Sequence, residues 1–331
     1  MNSVCVLEPG LYTTIQDIGR FGYQKYGVIV SGAMDFYALR IANLLVGNKE
    51  EEATIEMTLS GATLQFQKTA LIAITGGDLM PHIDGKPVPM WRPILISKGS
   101  VLQFKFAVKG CRAYVAFAGG IQVPKVMRSK STYVRAGIGG LYGRTLQRGD
   151  GLTSGNWSYI AEALAQKLAL SSEPYSWSVN PYPLIRFHRN PSIRVLKGSE
   201  YDRFDEASKQ AFFSEPYTIT TQADRMGYRL AGPSLALTEK MDMFSEAVTY
   251  GTVQVPANGQ PIILMADRQT TGGYPKIAQV ITADLSTLAQ LQPNTSVLFQ
   301  KVDLEEAETI LLQNEHILQQ IAIQIEIKAS Y

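Results

Sequence analysis

The stretch P-I-I-L-M-A-D-R-Q-T-T-G-G-Y-P-K-I, residues 261–277, carries the fold in miniature. Its first five residues are apolar and read as a buried strand, its polar middle as the end of that strand, and another apolar stretch follows. Gly272 and Gly273 permit backbone angles that side chains forbid, and Pro275 fixes the next bend. The same loop holds Asp267, Arg268, Gln269, Thr270, Thr271, Tyr274 and Lys276. That density of acid, guanidinium, amide, hydroxyl, phenol and ammonium exceeds the needs of a plain turn and suits the gripping of a small polar molecule.

Outward from this loop the same grammar recurs. Residues 70–75, 101–107, 113–117, 192–196, 262–265 and 296–302 are short, β-branched or aromatic, and bounded by turn residues, which predicts a mainly β chain built as a barrel or sandwich. Few helices interrupt it. Residues 35–46 have helical apolar spacing, with Asp35 placed to cap the start and Gly47 to end it. Residues 158–170 repeat that pattern, and Ser199-Glu200-Tyr201-Asp202 resembles a capping box opening a third helix. The last helix spans 303–328, with Leu304, Ala307, Leu311, Leu318, Ile321 and Ile325 on one face and packing on the barrel as its expected role.

At 331 residues the chain can bury a sizeable core, and two domains of about 150 residues each are expected. A net charge of +2 argues against a nucleic-acid or acidic-lipid surface. No stretch approaches the ~20 apolar residues that cross a bilayer, and the first residues lack a leader pattern, so a cytoplasmic protein is expected. Cys5 and Cys111 read as reduced, partly buried small hydrophobes. The segment 171–190, rich in proline, serine and aromatics, is expected to be a linker or a strap across the surface, dividing the chain into residues 1–185 and 186–331. An internal echo spans the divide: T-T-I-Q-D-I-G-R-F-G-Y-Q at 13–24 and T-T-Q-A-D-R-M-G-Y-R at 220–229 share Arg-x-Gly-Tyr behind a Thr-Thr and a Gln.

Absences prune the chemistry. His82, His188 and His316 are far apart and no cysteine pair completes a zinc set, so no metal site is expected. There is no phosphate loop, dinucleotide fingerprint or nucleophile elbow. Four polar clusters remain. Gln16, Asp17 and Arg20 lie in a glycine-rich turn and serve equally as a local salt bridge or a polar site. Residues 31–35, S-G-A-M-D, open a helix whose N–H groups could hold an anion, with Asp35 as the cap. Asp224-Arg225 repeats the first cluster as a turn pair. The fourth is the opening loop together with Ser245 and Glu246, in which Arg268 could fork a carboxylate or phosphate, Lys276 could neutralise developing charge and Asp267 could move a proton.

Taken together, T-I-Q-D-I-G-R-F-G-Y, S-G-A-M-D, A-N-L-L-V-G-N, I-E-M-T, D-R-M-G-Y-R-L-A-G-P, S-E-A-V-T-Y-G-T-V-Q-V-P-A-N-G-Q-P and A-D-R-Q-T-T-G-G-Y-P-K-I-A resemble the KipA family. That family is also known as the C component of 5-oxoprolinase or as allophanate hydrolase subunit 2, and it is carboxyltransferase-like; the likeness runs from about residue 5 to about residue 303. It implies two cyclophilin-like β-barrel domains, the first with helical insertions and the second carrying the terminal helix. It also implies a KipI-type partner, a LamB/YcsF-type partner, and ATP, shared with or supplied by one of these partners, for opening 5-oxoproline to glutamate. Within that expectation Asp267, Arg268 and Lys276 are catalytic. Gln269, Thr270, Thr271, Gly272, Gly273, Tyr274, Ser245 and Glu246 orient the substrate with Gln16 and Asp17, while Arg225 and Arg20 support anion binding. The same resemblance leaves two other roles open: a regulatory module relieving inhibition of a sensor kinase by its KipI-type sister, and a carboxyltransferase module acting on urea. The chain lacks a biotin carboxylase region and a biotinylated-lysine motif, which favours the lactam.

Overall fold

Residues 70–75 are apolar at every position but the last, and the computed structural model shows why. Successive strand side chains point to opposite faces. Ile72 and Ile74 enter a core shared with a second sheet, whereas Leu71 and Ala73 pack under helix α1, Phe36–Leu45. A strand covered on both faces has no reason to alternate. The structure describes residues 2–171, 177–188, 190–239 and 243–330.

The N-terminal half holds its strands in two sheets around that core. One runs Tyr12–Gln16, Thr54–Thr58, Lys109–Phe117, Ala70–Asp78, Pro93–Ile96. The other is built on Val4–Glu8 and Thr63–Phe66, and Val4, Val6, Leu64 and Phe66 face the first across the core. The C-terminal half closes seven strands into a barrel in the order Ser192–Lys197, Lys276–Val280, Thr252–Gln254, Ile262–Leu264, Gly227–Ala231, Tyr217–Ile219, Ser296–Lys301. The first and last of these close it in parallel, Ser192 opposite Leu298. The mainly β reading is thus met, and the opening stretch is strand, turn and strand of this barrel.

The helices follow local signals. Asp35 accepts from the Ala38 N–H at the start of α1, and Ser158 does the same for Ala161 in α2, Tyr159–Leu170. The third helix differs from expectation. Ser199 caps nothing; residues Tyr201–Arg203 form one 3-10 turn, and α3 begins later, at Glu206–Ser214, capped by Asp205. The reason is Glu200, whose carboxylate accepts from the Lys276 backbone N–H at 2.9 Å and whose own N–H reaches the Lys276 carbonyl, tying this turn to the barrel. A short helix α4, Leu285–Ala289, precedes Gln290, which clips the halves together: its Oε1 accepts from the Cys111 and Arg112 N–H groups, and its Nε2 donates to Asp35 and the Arg112 carbonyl.

The terminal helix α5, Leu304–Ser330, is capped by Asp303 and buries Ala307, Leu318 and Ile325 as expected. Its bed is different. Its first two turns lie on the barrel, Ala307 and Ile310 packing with Ile281, Ala283 and Val302; the rest crosses α1 and α2, where Arg40 forks Glu315 at 2.6 and 2.7 Å. Leu304, placed by periodicity on the buried face, is exposed in the first turn. Of the expected linker, residues 172–176 and 189 lie outside the described residues; the described part is a strap whose Leu184 and Ile185 are buried beside α1. No helix is long and apolar enough to cross a membrane among the described residues.

Candidate functional site

The two halves meet on a buried ion cluster. Arg225, in the turn before Gly227–Ala231, sets Nε 2.9 Å from Asp267 Oδ2 and Nη2 2.9 Å from Asp267 Oδ1. Its Nη1 bonds Glu56 of the N-terminal sheet, and Nη2 also donates to the Gly32 carbonyl at 2.6 Å. Burial works against the guanidinium's charge, but Asp267 and Glu56 outweigh it and hold the pKa above its ordinary value. The other Glu56 oxygen accepts from the Met34 N–H and from Tyr114 Oη. Ser31 Oγ lies 2.7 Å from Asp267 Oδ1 and 3.0 Å from the Thr132 carbonyl, at a backbone φ of +56° that a non-glycine residue seldom adopts.

Asp267 therefore anchors Arg225 and Ser31, with both carboxylate oxygens engaged, and Arg225 has no N–H edge left over for an anion. The next residue behaves otherwise. Arg268 lines a cleft of about 530 Å³ with Ser31, Phe36, Ile18, Val30 and Tyr250. Its Nε is buried without a partner, its Nη1 reaches only the Met265 carbonyl at 3.5 Å, and no acid among the described residues pairs with it. Burial lowers its pKa, Tyr250 and Asp267 opposing the shift. A partly buried cation without a counter-ion is costly unless something anionic arrives. The Tyr250 ring lies 5.9 Å from its guanidinium carbon, and Tyr250 Oη is fixed on the Met34 carbonyl.

The rest of the loop is spread over other surfaces. Thr271 pairs with Ala247 and Gly272 with Glu246 in a two-stranded ribbon, and the Thr270 carbonyl accepts from Val248. A Cβ on Gly272 would meet Gln254 Nε2 at 2.3 Å, so the Gln254 amide would have to move aside for any side chain there. Gln269 is half-buried; Ser245 is exposed; Gly273 and Tyr274 line a separate open cleft beside Phe204 and Val255. Lys276 Nζ is paired, 2.6 Å from Glu246 and 3.4 Å from Glu200. Burial alone would lower its pKa, but the hydrogen bond to Glu246 and the charges of Glu200 and Glu246 raise it. The sequence placed all these groups in one site because chain neighbours were read as spatial neighbours; turns at 265–268 and 273–275 send them apart.

Gln16, Asp17 and Arg20 form a fixed corner. Asp17 Oδ1 accepts from the Gly19 N–H and from Ser129, and Oδ2 from the Lys130 N–H. Arg20 donates to the Val126 and Ser131 carbonyls and is fully buried, its Nη1 unpartnered; burial lowers its pKa against the charges of Asp17 and Asp267. Gln16 Nε2 bonds Thr14 and the Thr132 carbonyl. The echoed segment makes the same kind of turn, Asp224 Oδ1 accepting from Met226 N at 2.8 Å, two residues on, as Asp17 does for Gly19. Glu56 and Tyr250 were missed by sequence reading; a lone acid inside the strand T-I-E-M-T was the available signal for Glu56. No group of His, Cys, Asp and Glu that could hold a metal ion occurs among the described residues.

Comparison with known proteins bears on this geometry. The family model for the carboxyltransferase domain, subdomain A and B, matches residues 26–301. The chain is 40% identical over 316 residues to the C component of 5-oxoprolinase from Haemophilus influenzae, covering 96% of each. It is 40% identical over 321 residues to the same component from Escherichia coli, covering 96% of this chain and 97% of the relative. The crystal structure of the Kluyveromyces lactis urea carboxylase superposes with a TM-score of 0.86 at 28% identity, over 96% of this chain but 29% of that one.

Proposed function

The chain belongs to the carboxyltransferase-domain family, subdomain A and B, and from that premise we propose that it is the C component of an ATP-dependent 5-oxoprolinase. In this reading it opens 5-oxo-L-proline to L-glutamate together with a KipI-type partner and a LamB/YcsF-type partner. The observation that carries the reading is Arg268, a guanidinium with no ion-pair partner among the described residues, in a cleft between the halves that Arg40, Glu50 and Glu51 also line, in a chain that covers 96% of one protein of that name and 97% of another.

Each group has a part. Arg268 takes the substrate carboxylate on its unpartnered edge. Phe36, Val30 and Ile18 cover the apolar face of the ring. Ser31 gives its one hydrogen to Asp267 or Thr132 and keeps lone pairs to accept the lactam N–H. Asp267 and Arg225 hold Ser31 and the turn before Arg268 in place, so their contribution is preorganisation. Lys276, with Glu246 and Glu200, fixes the ribbon at the far end of the loop. The amide of a five-membered lactam is resonance-stabilised, and ATP makes its carbonyl oxygen a leaving group: the oxygen takes a phosphoryl group as ADP departs, one water adds to the carbon, the C–N bond breaks as the amine takes a proton and leaves a γ-glutamyl phosphate, and a second water hydrolyses that acyl phosphate to glutamate and phosphate. The chain has no phosphate loop, so ATP is assigned to a partner or to a site shared with one.

A carboxyltransferase role toward a urea-like substrate is the second reading, favoured by the superposition on urea carboxylase. It requires biotin, and it predicts turnover that depends on a biotinylated partner. Mixing the chain with its KipI-type and LamB/YcsF-type partners and measuring ATP hydrolysis with and without 5-oxoproline separates the two. Glutamate formation that needs all three proteins supports the first reading; no stimulation by 5-oxoproline, with biotin-dependent urea carboxylation instead, overturns it.

A further inference from the structure

On the N-terminal sheet the rows Thr14–Glu56–Tyr114 and Tyr12–Thr58–Arg112 lie side by side, two residues apart on each strand and so on the same face. The first row grips Arg225 through Glu56. The second row faces a cleft of about 470 Å³ whose other wall is the turn Ala223–Met226 of the barrel half. This is the opposite side of the Arg225–Asp267 pair from Arg268: Asp267 and Arg225 line this cleft, and Ser31 and Arg268 line the other.

Arg112 is 4% exposed, and among the described residues only one of its side-chain nitrogens is engaged. Nη1 donates to Tyr228 Oη at 2.7 Å and to the Ala289 carbonyl, with Cys111 Sγ at 3.5 Å. Among the described residues neither Nε nor Nη2 has a hydrogen-bond partner and no carboxylate forms an ion pair with this guanidinium; Thr58 Oγ1, directly across the strand pair, is buried and unpartnered too. Burial works against the charge, but Tyr228, Cys111 and Glu56 together hold the group protonated. Arg225 shows what this edge does when matched: its Nε and Nη2 grip the two oxygens of Asp267. In Arg112 the same edge meets no carboxylate among the described residues.

We propose that this cleft is a second ligand site, distinct from the Arg268 cleft, in which the Nε–Nη2 edge of Arg112 and the hydroxyl of Thr58 bind the carboxylate of a small organic acid. Two parallel N–H bonds fit a planar two-oxygen anion. Leu11, Leu59, Val134 and Met226 at the rim suit a short apolar chain behind it, which favours an organic carboxylate over a bare phosphate. A buried donor and a buried hydroxyl without partners are costly as they stand, and one bound carboxylate satisfies both.

The test uses the full chain with sodium butyrate as probe and inorganic phosphate as competitor, followed by saturation-transfer NMR. The wild type is expected to bind butyrate saturably. Arg112→Lys, which keeps the charge and loses the fork, weakens it by about tenfold or more. Thr58→Val, a nearly isosteric change that leaves the ion cluster intact, weakens it several-fold; these titrations are run in the Arg268→Ala background, which removes the carboxylate subsite of the other cleft and in which saturable binding is expected to persist. Absence of saturable binding to the wild type overturns the proposal. So does binding that survives Thr58→Val and Arg112→Lys, or that vanishes with Arg268→Ala, or phosphate displacing butyrate at lower concentration. Should Arg112→Lys fail to fold, the Thr58→Val and wild-type titrations decide. The outcome is independent of whether the complex is a 5-oxoprolinase.

Discussion

Arg225 lies side-on to Asp267, its Nε and Nη2 each 2.9 Å from a carboxylate oxygen, although 42 residues separate them in the chain. Glu56 from the other half completes the pair, so the residues that hold the loop also hold the halves together. Removing one partner from a buried ion pair leaves an uncompensated charge. Asp267→Ala is therefore expected to cost about 3–5 kcal/mol in urea unfolding, and the triple Asp267→Leu, Arg225→Met, Glu56→Gln variant, which leaves no member of the cluster charged and unpaired, to recover much of it. A single-variant loss below about 1 kcal/mol would show that the pair is not the anchor.

Gly32 is expected to be intolerant of a side chain. Its φ is +92°, and a Cβ would lie 2.9 Å from the Ile18 backbone. Gly32→Ala must displace either the 18–19 segment or Ser31, which already has a left-handed φ. A loss of about 1–3 kcal/mol in stability, with turnover of the assembled complex falling further than that loss explains, is the expected result; wild-type turnover would mean that Ser31 has no part in the cleft.

Asp35 gives a pH signature. Burial pushes its pKa up to about 6 from 3.8, against hydrogen bonds from Gln290, Ala38 and Ser286. The folded state thus binds the proton more tightly than the unfolded state, so this group's stabilising effect is complete below about pH 4 and is lost as pH rises through about 6. The change is about 3 kcal/mol. Unfolding free energies of the wild type and Asp35→Asn, measured from pH 4 to 7, are expected to diverge by about that total across the window, the wild type losing more; parallel curves contradict it.

Lys276→Ala is expected to loosen the ribbon between Glu246–Ala247 and Thr271–Gly272, because Nζ ties Glu246 and Glu200 across it. Hydrogen exchange at the Val248 amide, which donates to Thr270, should accelerate. Unchanged exchange together with lost turnover would instead assign the ammonium directly to chemistry.

Strand grammar, the caps at Asp35 and Ser158, and the terminal helix were legible because each rests on local signals: period, cap residue, turn residue. What lay beyond reach was pairing across the halves. Nothing near Glu56 in the chain announces Arg225, and Asp267 and Arg268, adjacent in sequence, face different clefts. Arg20 and Arg225 read as anion binders because a guanidinium advertises charge; the fold gives Arg225 two carboxylates and a carbonyl, and Arg20 two carbonyls with its Nη1 still unpartnered. The Ser199 capping signal failed for the same reason, a long-range bond from Glu200 to Lys276 outweighing a local preference.

The most direct measurement concerns Arg268, in the chain reconstituted with its KipI-type and LamB/YcsF-type partners. Steady-state glutamate formation from 5-oxoproline is followed for the wild type, Arg268→Lys and Arg268→Ala. KM for 5-oxoproline is expected to rise about tenfold or more in Arg268→Ala, with partial recovery in Arg268→Lys and unchanged assembly by sedimentation. A KM and kcat indistinguishable from wild type in Arg268→Ala would contradict the placement of the substrate carboxylate on Arg268.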